Sequence, residues 1–214
     1  MNSPFTGISE LQKHKLFKIL QTHEYSFNKN EEILSTLKGE NIICILLEGH
    51  AQIVSISYNG EENLIEELYT DSIFGTNISN ISDSEYQITA LEKSKVLVID
   101  YNKLIDAKNI NYSYYNVFLT NLFDIINSKF RESNDRIKIL TKKSIRDKLL
   151  AFFENEYIKT RSKYIYLPTN FKDLADYLSV NRSAMFRELK YLKEEKFIKV
   201  DGNRITLLYT PNVH

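Results

Sequence analysis

The spacing of hydrophobic residues in the first half of the chain predicts strands. Between about residues 24 and 101, short apolar runs such as 42–47 and 95–99 are separated by turn residues, including the pair Asn59-Gly60. Short apolar runs bounded by Gly and Asn are typical of β-strands that are joined by tight turns. We therefore expect a β-barrel or β-roll here, preceded by a helix over residues 8–20.

A helical period replaces this pattern between about residues 113 and 140. Apolar residues recur every seven positions in two offset sets, which makes an a/d seam of about three heptads that is interrupted at Ser133. One interpretation packs this helix on its own β-domain, and the other pairs it with the same helix of a second copy. The regular spacing favours a parallel homodimer. The residues expected at that interface are Leu119, Phe123, Ile126, Phe130 and Ile137.

The last third of the chain predicts two helices that are separated by a tight turn. Thr169 and Asn170 can cap a short helix over residues 171–178, which carries one apolar stripe. A turn over 179–181 then leads to a second helix over about residues 182–195. This arrangement predicts a helix-turn-helix.

A helix and a hairpin flank this motif. The pattern predicts a helix over about residues 142–160 before it. After it, the β-rich runs 197–200 and 204–207 bracket Asp201-Gly202-Asn203, which is a hairpin turn signal. A hairpin in this position predicts a wing.

The outer face of the second helix of the motif predicts contact with DNA. Basic and small polar side chains at the start of such a helix suit docking in the major groove, where neighbouring groups meet phosphates. The alternative is a compact helical end domain whose charged face is only solvated. The residues expected to contact DNA are Asn181, Arg182, Ser183, Ala184, Phe186, Arg187, Lys190, Thr169, Asn170, Lys172 and Arg204.

Charge divides the chain in the same place. The whole chain has a formal net charge of zero, but residues 141–214 hold 15 Lys and Arg against 9 Asp and Glu. Only this part has the electrostatics to approach a phosphate backbone. We therefore expect a β-roll domain over residues 1–111, a dimerisation helix over 112–140 and a DNA-binding domain over 141–214.

Composition argues against several other classes of protein. No apolar run approaches the roughly 18 residues of a membrane span, and the N-terminus lacks the apolar core of a signal peptide, so we expect a cytoplasmic protein without membrane contact. The single cysteine, Cys44, excludes an internal disulfide and a four-cysteine metal site. The four histidines lie far apart and no catalytic or metal-ligand pattern occurs, so we expect neither an enzyme nor a cofactor.

The order of these elements resembles the CRP/FNR family of bacterial transcription regulators. Residues 46–75 look like the roll signature of the family, with Gly49, Gly60 and Phe74-Gly75 in the expected places, and residues 174–195 look like its helix-turn-helix. The resemblance implies an α+β fold with an N-terminal cyclic-nucleotide-binding-like β-roll, a long dimerisation helix and a C-terminal winged helix-turn-helix. It also implies a homodimer that binds an inverted repeat in double-stranded DNA, with RNA polymerase as a further candidate partner.

The sequence departs from the members of the family that bind cyclic AMP. Those members have a Glu after the Phe-Gly pair, where this chain has Thr76, and an Arg-Ser pair where this chain has the acidic stretch 83–86. No arginine lies between residues 40 and 127, so we do not expect cyclic AMP to bind. The cysteine cluster of the oxygen-sensing members is absent, and Cys44 and His50 are better explained as a core residue and a turn residue than as haem ligands.

A second hypothesis makes the roll a sensor of an unidentified small-molecule effector. The residues that would line its pocket are Phe74, Gly75, Thr76, Glu85, Tyr86, Arg131 and Ser133.

The recognition helix keeps the two arginines that resemble the basic positions of the family, Arg182 and Arg187, but differs between them. Phe186 stands where the family has a small residue. It either touches a thymine methyl group or packs against the neighbouring helix.

Overall fold

The order of helices and strands in the computed structural model agrees with the order that the sequence predicts. The structure describes residues 3–33, 37, 41–58, 60, 62–76, 86–167 and 171–211. Two compact units divide the chain: an N-terminal unit, Met1–Ser128, and a C-terminal unit, Lys129–His214. The division falls inside one long helix, whereas the sequence predicts boundaries after residues 111 and 140, and that three-part division stays a prediction.

The described helices and strands of the N-terminal unit are α1 (Glu10–Leu20), β1 (His23–Phe27), β2 (Ile42–Glu48), β3 (His50–Ile56), β4 (Glu62–Tyr69), β5 (Ile73–Phe74), β6 (Tyr86–Ala90), β7 (Ser94–Asp100), α2 (Tyr101–Leu104), a 3₁₀ turn (Ala107–Asn111) and the first part of α3 (Ser113–Leu140). Two antiparallel sheets hold these strands, in the orders β1-β7-β2-β5 and β4-β3-β6.

The strand β2 contributes side chains to two hydrophobic cores. Successive side chains of a strand point to opposite faces. Cys44 and Leu46 therefore enter a core that is shared by the two sheets, whereas Ile43 and Ile45 enter a second core that also contains residues of α1, α2 and α3. Because both faces of β2 are buried, its sequence is a continuous apolar run rather than an alternating one.

At two positions of the roll, the backbone conformation and the close neighbours allow only glycine without strain. Gly75 has a φ of +127°, and a Cβ added there would lie 2.4 Å from the carbonyl oxygen of Ile42. Gly49 has a φ of +98°, and its Cβ would lie 2.7 Å from the carbonyl oxygen of Lys93. A left-handed φ favours glycine, and these approaches leave no room for a side chain. Gly49 and Gly75 of the roll signature are thus required by the fold itself.

The long helix α3 has two apolar faces. Tyr115, Phe118, Leu122 and Ile125, spaced three or four residues apart, are buried in the second core of the N-terminal unit. The predicted seam lies on other positions: Phe123 and Phe130 are 66% and 65% exposed, and Ile126 and Ile137 are also exposed. Leu119 differs, because it is half-buried against the core of its own unit. Packing on the β-domain and an exposed seam therefore occur together, on different faces of one helix.

The described helices and strands of the C-terminal unit after α3 are α4 (Ile145–Thr160), β8 (Tyr164–Tyr166), α5 (Phe171–Tyr177), α6 (Arg182–Glu194), β9 (Ile198–Asp201) and β10 (Arg204–Leu207). The predicted hairpin is β9–β10, and β8, which the sequence pattern did not single out, adds a third antiparallel strand in the order β8-β10-β9. One core joins the helices to this sheet through residues such as Phe153, Leu174, Met185 and Ile205.

N-cap residues explain why two helices begin later than predicted. The helix predicted over 8–20 begins at Glu10, because the Ser9 hydroxyl accepts a hydrogen bond from the Gln12 backbone at 3.4 Å while the Gln12 side chain accepts one from the Ser9 backbone at 2.9 Å. The helix predicted over 142–160 begins at Ile145, because the Ser144 hydroxyl accepts from the backbone of Asp147 at 3.0 Å.

Candidate nucleic-acid interface

A tight turn sets the angle between α5 and α6. Ser179 adopts a left-handed conformation with a φ of +50°, and the backbone N–H of Val180 donates to the carbonyl of Ala175 at 3.0 Å. The next residue, Asn181, is the N-cap of α6, where its side-chain oxygen accepts from the backbone of Ala184 at 3.1 Å. Asn181, expected to contact DNA, therefore also has a structural task, which is to begin the recognition helix.

The inward face of α6 is apolar, as its spacing predicts. Met185, Leu189 and Leu192 are buried in the core of the C-terminal unit. Ala175 of α5 is also buried there, where its small side chain suits the close approach of two helices at a short turn. This stripe fixes which face of α6 points outward.

The outward face of α6 carries the side chains that were expected to read DNA. Arg182, Ser183, Arg187 and Lys190 are exposed, whereas Ala184 is half-buried. Lys190 lies 3.8 Å from the carboxylate of Glu194 one turn later, a pair that is well exposed and therefore weak.

The remaining predicted contacts lie outside α6 or outside the described residues. Lys172 is exposed on α5. Thr169 and Asn170, expected to cap α5 and contact DNA, lie outside the described residues.

Phe186 lies between the neighbouring helix and Arg182. Its ring centroid is 5.5 Å from that of Phe171, the first residue of α5, and the guanidinium carbon of Arg182 is 5.6 Å from the Phe186 ring. These contacts favour the interpretation in which Phe186 packs against the neighbouring helix. The side chain nevertheless remains 41% exposed.

Arg146 of α4 ties the far end of α6 to the rest of the unit. Its guanidinium pairs in a bidentate manner with the Glu195 carboxylate, lies 3.5 Å from Glu188 and sits over the ring of Phe197 at 5.3 Å. The hydrogen bond from Arg146 lowers the pKa of Glu195, and the same hydrogen bond raises the pKa of Arg146. No local sequence pattern indicates a role for Arg146, because only the tertiary fold brings residues 146 and 195 together.

Two further basic residues act inside the unit. The ammonium group of Lys148 donates to the carbonyl of Leu178 at 3.0 Å, which satisfies a carbonyl at the end of α5. Arg204, expected to contact phosphate, donates from Nη2 to the Asp201 carboxylate at 2.6 Å across the hairpin turn. The hydrogen bond with Tyr166 and the charge of Asp201 raise the pKa of Arg204. A phosphate would have to share Arg204 with Asp201.

Comparison with known proteins supports the same architecture. Residues 24–110 match the family described as the cyclic nucleotide-binding domain. Beyond that domain, the chain is 22% identical over 200 residues to a candidate HTH-type transcriptional regulator, ycf28, of Porphyra purpurea, and the match covers 91% of this chain and 78% of that protein.

Solved structures extend the likeness to the fold of almost the whole chain. CprK in complex with OCPA matches with a TM-score of 0.64 at 17% identity, covering 90% of this chain and 88% of that one. The catabolite activator protein of Thermus thermophilus matches with a TM-score of 0.52 at 14% identity, covering 96% and 93%. In its fold the chain resembles the CRP/FNR family.

The family resemblance and the α+β fold with a β-roll and a winged helix-turn-helix are thereby confirmed. These relatives are named as a transcriptional regulator and a catabolite activator, and the prediction that the chain is not an enzyme agrees with those names.

The residues expected to line an effector pocket do not form one described site. Phe74 is fully buried, Tyr86 is half-buried against the same core, and the Thr76 hydroxyl accepts from the backbone of Ile42 at 3.1 Å. Gly75 follows Phe74 and has the left-handed backbone that favours glycine. Arg131 and Ser133 are exposed on the part of α3 that belongs to the C-terminal unit, and Glu85 lies outside the described residues.

A cleft of the N-terminal unit lies elsewhere. It has a volume of about 460 Å³ and is lined by other residues, among them Lys13, His14 and Lys95. The effector pocket named from the sequence therefore stays a prediction.

The two residues weighed as haem ligands have other surroundings. Cys44 is fully buried, and burial raises the pKa of its thiol to about 12, as expected of a core cysteine. His50 is not a turn residue as predicted: it begins β3, where its ring stacks on Tyr69 at 4.5 Å. Within the described ranges, no group of three or more His, Cys, Asp or Glu could hold a metal ion, and no helix there is long and apolar enough to cross a membrane.

Proposed function

We propose that this chain is a sequence-specific DNA-binding transcription regulator that acts as a homodimer on an inverted-repeat operator. The observation that carries the proposal is the exposed face of α6, where Arg182, Ser183 and Arg187 project from a helix whose other face is buried. A helix that is held in this way can enter the major groove with its first turn towards the base edges. Arginine there can donate two hydrogen bonds to a guanine edge.

Net charge supports the assignment of DNA binding to the C-terminal unit. Residues 129–214 hold 19 Lys and Arg against 11 Asp and Glu, and they include every arginine of the chain. Exposed lysines such as Lys142 and Lys143 precede α4 and can meet phosphates beside the groove. Binding should therefore weaken steeply as the salt concentration rises.

The exposed seam of α3 supports a homodimer. Phe123 and Phe130 leave large apolar surfaces in water, and they lie seven residues apart on one face of the helix. A second copy of the same seam would bury them in the manner of a coiled coil. Two copies then offer two recognition helices, so half-sites should lie about one helical turn apart, roughly 34 Å.

We further propose that DNA binding does not depend on cyclic AMP. Residues 1–128 contain no arginine, so the roll cannot offer the bidentate guanidinium that suits a phosphodiester. Thr76 replaces a carboxylate that would bind a ribose hydroxyl, and its hydroxyl already accepts from the backbone of Ile42. The roll of this protein thus retains a cyclic-nucleotide-binding fold with different chemistry. A cytoplasmic location belongs to the same proposal.

Selection of bound sequences from a random duplex pool tests the proposal. The full chain should enrich an inverted repeat, and the affinity for that repeat should fall as the salt concentration rises. Addition of cyclic AMP should change neither the enriched sequence nor the affinity, whereas an extract of cellular small molecules would reveal another effector. A chain that stays monomeric and enriches no sequence at low salt would contradict the proposal.

A further inference from the structure

Arg182 and Phe186 form a pair on the outward face of α6. They lie four residues apart, which places their side chains next to each other on a helix, and the guanidinium carbon lies 5.6 Å from the ring centroid. Both side chains are exposed. An arginine in the first turn of an exposed helix would otherwise sample many rotamers, and the ring face favours those that keep the guanidinium over it.

The ring of Phe186 is itself held from the other helix of the motif. Its centroid lies 5.5 Å from that of Phe171, with the ring planes tilted by 47°. Phe171 is half-buried and packs against the core of the C-terminal unit. A series of contacts therefore runs from that core through Phe171 and Phe186 to the guanidinium of Arg182.

We infer that Phe186 is a positioning residue, which orients Arg182 for base recognition before DNA is bound. This inference rests on the proposed DNA-binding function and adds a specificity-determining residue to it. If Phe186 only filled space beside Phe171, any apolar side chain of similar size would serve. A cation–π contact needs an aromatic face, so leucine and tyrosine at this position should behave differently. Arg182 that is already oriented loses less conformational freedom on binding, which favours its correct base pair.

The test uses the full chain and compares Phe186→Leu with Phe186→Tyr, each in the wild-type and in the Arg182→Ala background. Each protein is titrated with the selected operator and with operators in which the base pair assigned to Arg182 is replaced, and its melting temperature is measured. Phe186→Leu should lower the preference for that base pair about two- to tenfold, and Phe186→Tyr should preserve the preference. In the Arg182→Ala background, Phe186→Leu should have no further effect on the preference.

Tyr164→Leu is the matched control, because it also removes an exposed aromatic ring from the C-terminal unit but lies on β8. It should leave the preference unchanged. If Phe186→Leu does not fold, Phe171→Leu takes its place, since it removes the contact that holds the Phe186 ring and should lower the same preference.

Three results would overturn the inference in different ways. An equal loss of affinity for all sequences, together with a lower melting temperature, would show that Phe186 is only structural. An undiminished effect of Phe186→Leu in the Arg182→Ala background would show that Phe186 touches DNA directly. A wild-type protein that binds no duplex would refute the proposed function itself, and the inference would fall with it.

Discussion

The two units of this protein both have well-packed cores, but their net charges are opposite. Residues 1–128 hold 9 lysines, no arginine and 17 acidic residues, whereas residues 129–214 have an excess of basic residues. The N-terminal unit keeps the glycines and the doubly buried β2 that a roll requires. It has no arginine, the side chain that suits bidentate binding of a cyclic phosphate. A roll can therefore keep its framework residues without that side chain.

The C-terminal unit divides its basic residues between two tasks. Arg146 and Lys148 form contacts inside the unit, with Glu195 and with the carbonyl of Leu178. Arg182 and Arg187 project from the outward face of α6. Because contacts with carboxylates and carbonyls hold the helices in place, the exposed arginines can serve a ligand outside the molecule. The number of basic residues alone would not distinguish these tasks.

The largest expected effect comes from charges placed in the seam of α3, the helix that contains the boundary between the two units. Phe123→Glu combined with Phe130→Glu should produce a monomer, because pairing would then bury four carboxylates in each dimer. Loss of the second recognition helix should weaken operator binding at least about a hundredfold. Sedimentation equilibrium and a DNA titration measure the two results.

Ser128→Glu is the control for this variant, since Ser128 is exposed on α3 but lies off the seam. It should leave the dimer and the operator affinity unchanged. A double variant that still sediments as a dimer would place the subunit interface elsewhere.

The next effect separates the two kinds of basic residue on the surface of the C-terminal unit. Arg182→Ala should cost about 1–3 kcal/mol at one base pair and relax the preference there. Lys142→Ala should instead weaken binding to all sequences equally and reduce the dependence of the affinity on salt. Competition titrations with single-base-pair operator variants at several salt concentrations distinguish the two. An unchanged base preference in Arg182→Ala would remove Arg182 from sequence recognition.

Local patterns in the sequence predicted most of the framework. The heptad spacing predicted a helix over 113–140, which is the span of α3, and the buried stripe of α6 follows from its spacing alone. The hairpin β9–β10 was predicted from its turn residues. These features are set by neighbours within about one or two turns of chain, and a single sequence contains that information.

Features that depend on distant residues were not predicted. Arg146 meets Glu195 only after α4 and α6 have packed together, and β8 becomes a strand because β10 lies beside it. Leu119 fits the heptad pattern but is half-buried against its own unit, so periodicity alone could not assign it to one interface. Assigning His50 to a turn was wrong for the same reason, since its pairing with Tyr69 spans β3 and β4.

The pairing of Arg146 with Glu195 predicts how acid affects the C-terminal unit. Arg146 lowers the pKa of Glu195 below its usual 4.5, so the pairing stabilises the folded state above that value, and the stabilisation is lost as the pH falls through the lowered pKa. Arg146→Met should therefore be less stable than the wild type at about pH 7, and the difference should shrink at about pH 3. Urea unfolding at both pH values measures it.

Lys138→Met is the matched control for Arg146→Met, because Lys138 also pairs with a carboxylate, Asp135 at 3.4 Å, but from a well-exposed side chain. It should alter stability little at either pH. A pH-independent difference between Arg146→Met and the wild type would mean that packing on Phe197, rather than the charge pair, carries the contribution.

The smallest expected effect concerns a left-handed position in the turn between α5 and α6. The roll has glycine at its two crowded left-handed positions, 49 and 75, whereas the turn between α5 and α6 has Ser179 at a φ of +50°. Relief of the left-handed strain should exceed the entropy that glycine adds to the unfolded chain, so Ser179→Gly should stabilise the protein by about 0.5 kcal/mol. Ser179→Ala keeps the strain and should give no gain. Urea unfolding of both variants decides: an equal response would mean that the Ser179 side chain, and not its backbone, determines the stability of the turn.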